Sequence, residues 1–412
     1  MSKKLFGFFG TRERNNPHVK SSTFAFTHVD IITPFRVIDS GSLVVHGKRI
    51  AAVGKMDEVE IPSGIQVFDF EGMMLTPGFI DVLVHGGGGH VFADTNNEAL
   101  ENISSFFFKH GTTGMLAGLY SKTEKEMIVD VKRIVDFITK SQHSNVWGIH
   151  LEGPFINRRL HGAMKADSLW EPDMAGWKRL YEASQGLIRL MTIAPELPGV
   201  DEIMRTAASK DVVLSIGHSA ATYQEVLNAI DNGAAHVTHM FNAMKPIHHR
   251  EPGVALAALL HNELKIELIA DGIHIHPAVM KLLFKVKGEG GILLITDAIR
   301  ACGMPDGEYT FMDQAIKVND NRAYLSDGTL AGSTLTMEKA VQNMVRLVEV
   351  PITKAVRMAS LNGAKVLGLE HHKGILAVGK DADLVVLDRD FNVQMTVFEG
   401  AIRYRKGEDR KG

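Results

Sequence analysis

Four side chains in this 412-residue chain stand where apolar runs end, and their types suit metal-assisted hydrolysis. Glu152 closes Val146-Trp147-Gly148-Ile149-His150-Leu151-Glu152. His218 closes Val212-Val213-Leu214-Ser215-Ile216-Gly217-His218, and His239 closes His236-Val237-Thr238-His239. Two imidazoles and a carboxylate, with one position left to water, form the ligand set of a catalytic zinc-type site. Zinc, iron(II), manganese and cobalt are all acceptable to such donors. Asp297 closes Ile292-Leu293-Leu294-Ile295-Thr296-Asp297. Beside a metal that lowers the pKa of water toward about 7, a carboxylate can take the proton. Taken singly, each histidine reads as readily as a hydrogen-bonded core residue, and Asp297 as a helix N-cap. Three such ligands at three strand ends together argue for one shared ion. His150 and His236, within the same runs, read as supporting or packing residues.

Polar residues at the ends of apolar strands need a scaffold that aims those ends at one mouth. Apolar, β-leaning runs occur at 79–84, 113–119, 146–151, 188–193, 212–216, 237–241, 266–269 and 292–295. Helix-like stretches such as 97–109 and 124–140 lie between them, and Thr222-Tyr223-Gln224-Glu225 is a capping-box pattern. Eight strand–helix units predict an α/β fold, a (β/α)8 TIM-like barrel over residues 76–370, with its site at the strands' C-terminal ends. A doubly wound sheet fits less well. Gly86-Gly87-Gly88-Gly89 does not lead into a helix, and no acidic partner follows at dinucleotide-binding spacing. Residues 21–75 and 371–412 are β-rich and predict a small β-sandwich domain built from both termini, with 1–20 an N-terminal extension.

Composition narrows the partners. A net charge of −3 gives no reason to expect nucleic acid or an anionic membrane surface. No apolar stretch approaches the roughly 18 residues of a membrane span, and the apolar start of the chain is shorter than the about 7–15 residues of a signal-peptide core. The single cysteine, Cys302, excludes an internal disulfide framework and fits a reducing compartment, so a cytoplasmic protein is expected.

Several stretches carry a resemblance. They are Pro77-Gly78-Phe79-Ile80-Asp81, His150-Leu151-Glu152-Gly153-Pro154-Phe155-Ile156-Asn157, Gly217-His218-Ser219 and Thr238-His239-Met240-Phe241-Asn242-Ala243-Met244. Arg250-Glu251-Pro252-Gly253, Ala270-Asp271-Gly272-Ile273-His274, Thr296-Asp297-Ala298 and Leu330-Ala331-Gly332-Ser333 follow in order. Together they resemble the amidohydrolase superfamily and, within it, the N-acetylglucosamine-6-phosphate deacetylase family. The resemblance implies Glu152, His218 and His239 as ligands of a divalent metal and Asp297 as the catalytic acid/base. It implies a phosphorylated amino sugar as partner, contacted by Ala163, Asn242, Ala243, Arg250, His274, Leu330, Ala331 and Gly332. It also implies a homodimer, in which the loop carrying Arg250 reaches toward the neighbouring subunit. Charge supports the phosphate independently, because Lys245, His248, His249 and Arg250 crowd that loop.

Two departures matter. Where many amidohydrolases carry His-x-His at the end of the first strand, this chain reads Leu83-Val84-His85. Leucine cannot coordinate, so one metal is expected, with the second site weak or absent and His85 lining the pocket or assisting. Gly162-Ala163-Met164 has methionine where the family usually has a histidine thought to polarise the acetyl carbonyl. Methionine donates no hydrogen bond. His161 replaces it, or catalysis is weaker, or the substrate differs. The rival readings are N-acetylgalactosamine-6-phosphate deacetylation and a catalytically impaired sugar-phosphate-binding homologue.

Overall fold

Strands buried on both faces must be apolar along their whole length, and parallel strands joined by helices are of this kind. In the computed structural model, which describes residues 23–94, 96–141 and 144–408, eight such strands form one sheet. They are Phe79–Val84, Thr112–Tyr120, Val146–Glu152, Ile188–Ile193, Val213–Ile216, Ala234–Val237, Lys265–Ile269 and Ile292–Ile295. Each pairs with its sequence neighbour in parallel register. The ring closes just beyond the eighth strand. Asp297 N donates to Leu83 O and His85 N to Ala298 O, both at 2.9 Å. The buried Asp81 carboxylate accepts the Thr296 hydroxyl at 2.6 Å across the same seam. This is the (β/α)8 barrel expected from the apolar runs.

Local signals account for the helices. Helices occupy Asn97–Lys109 and Glu124–Lys140. Tyr223–Asp231 opens on a formed capping box, in which Glu225 Oε2 accepts from the Thr222 backbone N–H at 2.7 Å and its hydroxyl at 2.8 Å. One strand corrects the sequence reading. The sixth lies at Ala234–Val237 and not at 237–241, although Phe241 and its neighbours look strand-like. The backbone turns away beyond Val237: His239, Phe241 and Ala243 have φ of 28°, 72° and 49°. Positive φ breaks a strand whatever the side chain's propensity.

The two ends of the chain meet in one sheet. Its order runs Ala401–Arg405, Val393–Phe398, Leu384–Leu387, Met74–Pro77, Thr23–Ile32, Val37–His46, Arg49–Lys55, with Gln66–Asp69 beside Thr23–Ile32. Leu384–Leu387 pairs antiparallel with Met74–Pro77, which joins the C-terminal strands to the N-terminal ones. This sheet encloses its own core of Phe26, Ile31, Leu43, Leu75, Leu384 and Met395, separate from the barrel's. The extension expected over residues 1–20 lies outside the described residues. A three-stranded antiparallel sheet, Gly307–Phe311, Gln314–Asn319 and Arg322–Tyr324, follows the eighth barrel strand and was not anticipated. No helix among the described residues is long and apolar enough to cross a membrane.

Candidate active site

Glu152 is the last residue of the third strand, while His218 and His239 each lie two residues past the fifth and sixth. Asp297 stands two residues past the eighth. His218, His239 and Asp297 all have positive φ, 48°, 28° and 52°. Such backbone is uncommon for residues other than glycine and persists only where the surroundings impose it. Here it turns the side chains that follow the fifth, sixth and eighth strands inward over the barrel.

The three candidate ligands converge. Glu152 Oε1 lies 3.0 Å from His218 Nε2 and 3.1 Å from His239 Nε2, and the two Nε2 atoms are 3.0 Å apart. All three residues are buried. The donor set can be tested for a cation from proton positions alone. His218 Nδ1 lies 2.7 Å from Leu160 O, which can only accept, so Nδ1 carries the proton. In the neutral ring Nε2 is then a bare lone pair aimed at a carboxylate oxygen and a second imidazole nitrogen. With His239 Nε2 likewise unprotonated, three electron-pair donors packed this closely repel unless a positive charge sits among them. A tetrahedral ion bound at about 2.0–2.1 Å holds its ligands about 3.3 Å apart, close to the triangle found here. The residues fit a divalent metal. Burial would raise the Glu152 carboxyl, but the imidazoles of His218, His239 and His85 around it hold it well below the usual carboxylate range. It is therefore charged, as a ligand must be.

His85 occupies the other side of Glu152. Its Nδ1 donates to Gly118 O at 3.1 Å, and its Nε2 lies 3.2 Å from both Glu152 Oε2 and Asp297 Oδ1. Burial would lower its pKa, but hydrogen bonds to Asp297 and Glu152 outweigh burial and lift it to about 10. Leu83, two residues earlier, is fully buried in the barrel core.

These side chains line one cavity of about 480 Å³. Of the residues singled out from sequence, Ala163, Asn242, Ala243, His274, Leu330 and Gly332 line it, as do His85, His161 and Met164. Ala331 does not: it is fully buried, and its N–H donates to Ala323 O at 3.0 Å. Arg250 is exposed on its loop and does not line the cavity of its own chain. Gly332 is needed where it stands, because its φ is 60° and a Cβ there would come within 2.4 Å of Ile299 Cγ2. His274 is held by Asp271, whose Oδ2 accepts from Nδ1 at 2.6 Å. Met164 is buried among Tyr120, Ile156, Phe311 and Met312, while His161 Nδ1 is buried without a partner among the described residues. His150 and His236 sit in the barrel interior, away from the cavity lining. His150 donates to Val82 O at 2.8 Å and meets Thr192 Oγ1 at 2.8 Å, and burial lowers its pKa to about 4.

Sequence reasoning missed several neighbours. Glu196 accepts Asn157 Nδ2 at 2.8 Å, Ala220 N at 2.6 Å and Ser219 Oγ at 2.7 Å, tying together the loops around His218. Arg159, Phe311, Met312 and Asp327 line the cavity. Glu196 had no local signal beyond an acidic residue after a strand. The tandem arginines at 158 and 159 did offer one.

A (β/α)8 barrel with a buried histidine–carboxylate cluster at its strand ends, and a further aspartate in the same cavity, defines the metal-dependent hydrolase class of barrel. The Amidohydrolase family model matches residues 74–403. The chain belongs to that family. It is 38% identical over 341 residues to N-acetylglucosamine-6-phosphate deacetylase of Lysinibacillus sphaericus, covering 82% of this chain and 88% of that one. It is 35% identical over 365 residues to N-acetylgalactosamine-6-phosphate deacetylase of Escherichia coli O157:H7, covering 88% and 96%. Among solved structures, a mutant N-acetyl-D-glucosamine-6-phosphate deacetylase from Mycobacterium smegmatis in complex with N-acetyl-D-glucosamine-6-phosphate superposes with a TM-score of 0.87. That pair is 32% identical, covering 93% of this chain and 99% of the other.

Proposed function

We infer that this chain hydrolyses the acetamide of N-acetylglucosamine 6-phosphate to acetate and glucosamine 6-phosphate. The observation that carries the reading is the convergence of Glu152, His218 and His239 in a cavity shared with Asp297 and His274. Glu152, His218 and His239 would hold one divalent ion: zinc, iron(II), manganese or cobalt. When bound, it supplies Lewis acidity to the carbonyl and to water.

The chain's own groups do the rest. Asp297 takes the proton of the attacking water and returns it to the departing amine. His85, a proton donor between Glu152 Oε2 and Asp297 Oδ1, balances the charge of two carboxylates and keeps Asp297 oriented. Leu83 is buried in the barrel core and offers no ligand beside His85, which supports a single metal with the second site weak or absent. His161 supplies the carbonyl hydrogen bond that Met164 cannot. Asn242, Ala243, Leu330 and Gly332 bound the sugar, and His274, fixed by Asp271, contacts the phosphate. Binding energy gathered there orients the amide for attack. Arg250 is exposed and does not line its own cavity, which supports a homodimer in which it serves the neighbouring copy.

The test is acetate release from N-acetylglucosamine 6-phosphate and N-acetylgalactosamine 6-phosphate in parallel. The reading expects the gluco substrate to give the higher kcat/KM. A preference for the galacto epimer would move the assignment to the other deacetylase, and no acetate from either would leave only sugar-phosphate binding.

A further inference from the structure

Arg158 and Arg159 are adjacent on the loop after the third barrel strand, yet the fold gives them different work. Arg158 holds its own loop together: Nη1 donates to Ala166 O at 3.1 Å, Nη2 to Leu169 O at 3.0 Å, and Nε reaches Glu171 at 3.4 Å. The side chain of Arg159 makes no hydrogen bond or ion pair among the described residues; only its backbone N–H is bonded, to Asn157 Oδ1 at 2.9 Å. It is exposed at the cavity mouth and is the one lysine or arginine among the described residues that lines the cavity.

The position of Arg159 is nevertheless fixed. Asn157 N donates to His218 O at 2.9 Å, and Leu160 O accepts from His218 Nδ1 at 2.7 Å. The short turn that carries Arg159 is therefore tied at both ends to a candidate metal ligand. A cation held at a set distance from the reacting centre, with an unengaged guanidinium, is what a phosphorylated sugar needs at its far end. Arg250 stands outside the cavity of its own chain and would serve a neighbouring copy, so Arg159 is the cation that this chain supplies to its own cavity. Asp327, which also lines the cavity, accepts from its own loop's Thr329 N at 2.9 Å and forms no ion pair with Arg159 among the described residues.

We propose that Arg159 is a specificity-determining residue that binds the substrate phosphate in cis, through the paired N–H groups of its guanidinium. The proposal rests on the substrate reading above. Because the phosphate is remote from the amide, losing this contact weakens substrate and transition state alike and raises KM with kcat unchanged.

The experiment compares Arg159→Ala and Arg159→Lys with the unsubstituted chain on N-acetylglucosamine 6-phosphate and on N-acetylglucosamine. Calorimetric binding of glucosamine 6-phosphate and glucosamine accompanies the kinetics. Arg159→Ala should raise KM for the phosphorylated sugar about 10- to 100-fold, the worth of a hydrogen-bonded charged group. Its kcat should stay within about twofold, its activity on the unphosphorylated sugar should be unchanged, and Arg159→Lys should recover part of the loss. Equal losses on both sugars would make Arg159 a prop for His218, and an unchanged KM would leave the phosphate to other groups; either overturns the proposal. If the unsubstituted chain releases no acetate, the substrate reading fails separately. Phosphate-dependent binding that Arg159→Ala leaves intact then overturns this one as well.

Discussion

At the scale of single residues, the site depends on where protons sit. Asp297 is the one carboxylate in the cavity outside the candidate ligand triad that also touches His85, at 3.2 Å. Asp297→Asn keeps the shape and the contact with His85 but cannot accept a proton from water. We expect it to lower kcat by about 10²- to 10⁴-fold, the range of a general base. Metal content measured on the same sample should be unchanged; full activity would remove the base from the account. His161 is the second residue-scale prediction. Losing one donor to a developing oxyanion typically costs about 2.7–4 kcal/mol. His161→Ala should therefore lower kcat by about 100-fold or more, with His161→Gln retaining part of it. An unaffected kcat would leave Met164 without a substitute.

At the scale of elements, the loops at the strand ends are held by one another more than by their own sequence. Glu196 bonds to Asn157, Ser219 and Ala220, and Asn157 in turn bonds to the backbone of His218. Glu196→Ala would leave those three donors to find water. The expected result is metal affinity weaker by about 10- to 100-fold, as for other residues that orient ligands, read by competition with a chelator. Unchanged affinity would mean that the loops hold their shape without it. Such ties explain what could be read from sequence and what could not. Apolar runs announced the strands because a strand buried on both faces admits little else, and Thr222 and Glu225 announced a helix start by local chemistry. The sixth strand was misplaced because side-chain propensity is silent about the positive φ of His239 and Phe241. Residues 307–324 carry little signal because their short alternating strands, as in Glu308-Tyr309-Thr310-Phe311, are a weak pattern beside the barrel's. The candidate ligands were legible because each ends an apolar run. Glu196 was not, since its partners Asn157, Ser219 and Ala220 are distant in sequence.

At the scale of the whole molecule, the terminal sheet is fastened to the barrel through a buried charge. Lys373 donates to Asp383 at 2.6 Å and Asp381 at 2.9 Å, with its ammonium 4.9 Å from the ring centre of Trp147 on the third barrel strand. Burial would depress the ammonium, but Asp383 and Asp381 outweigh it and hold the pKa up. Its contribution is thus fully present below the ordinary lysine pKa and is lost only as pH rises through the folded value. Burial raises the Asp383 carboxyl even with Lys373 offsetting it. Removing the lysine raises it further, while Arg49 still pairs with Asp381. Lys373→Met should destabilise the chain by about 3–5 kcal/mol near neutral pH, the effect of stranding one partner of a buried pair. The deficit should shrink toward about pH 4, where the unfolded carboxylate also protonates. Urea midpoints of variant and parent at acidic and neutral pH check this, and a pH-independent difference would contradict it.

Hydrolysis by this chain requires a metal among Glu152, His218 and His239, and elemental analysis of the purified chain tests that most directly. We predict one equivalent of a divalent transition metal per chain. His218→Ala and His239→Ala should lose that metal and the acetate-releasing activity together. A metal-free preparation that releases acetate at the full rate, or histidine variants that retain the metal, would contradict it.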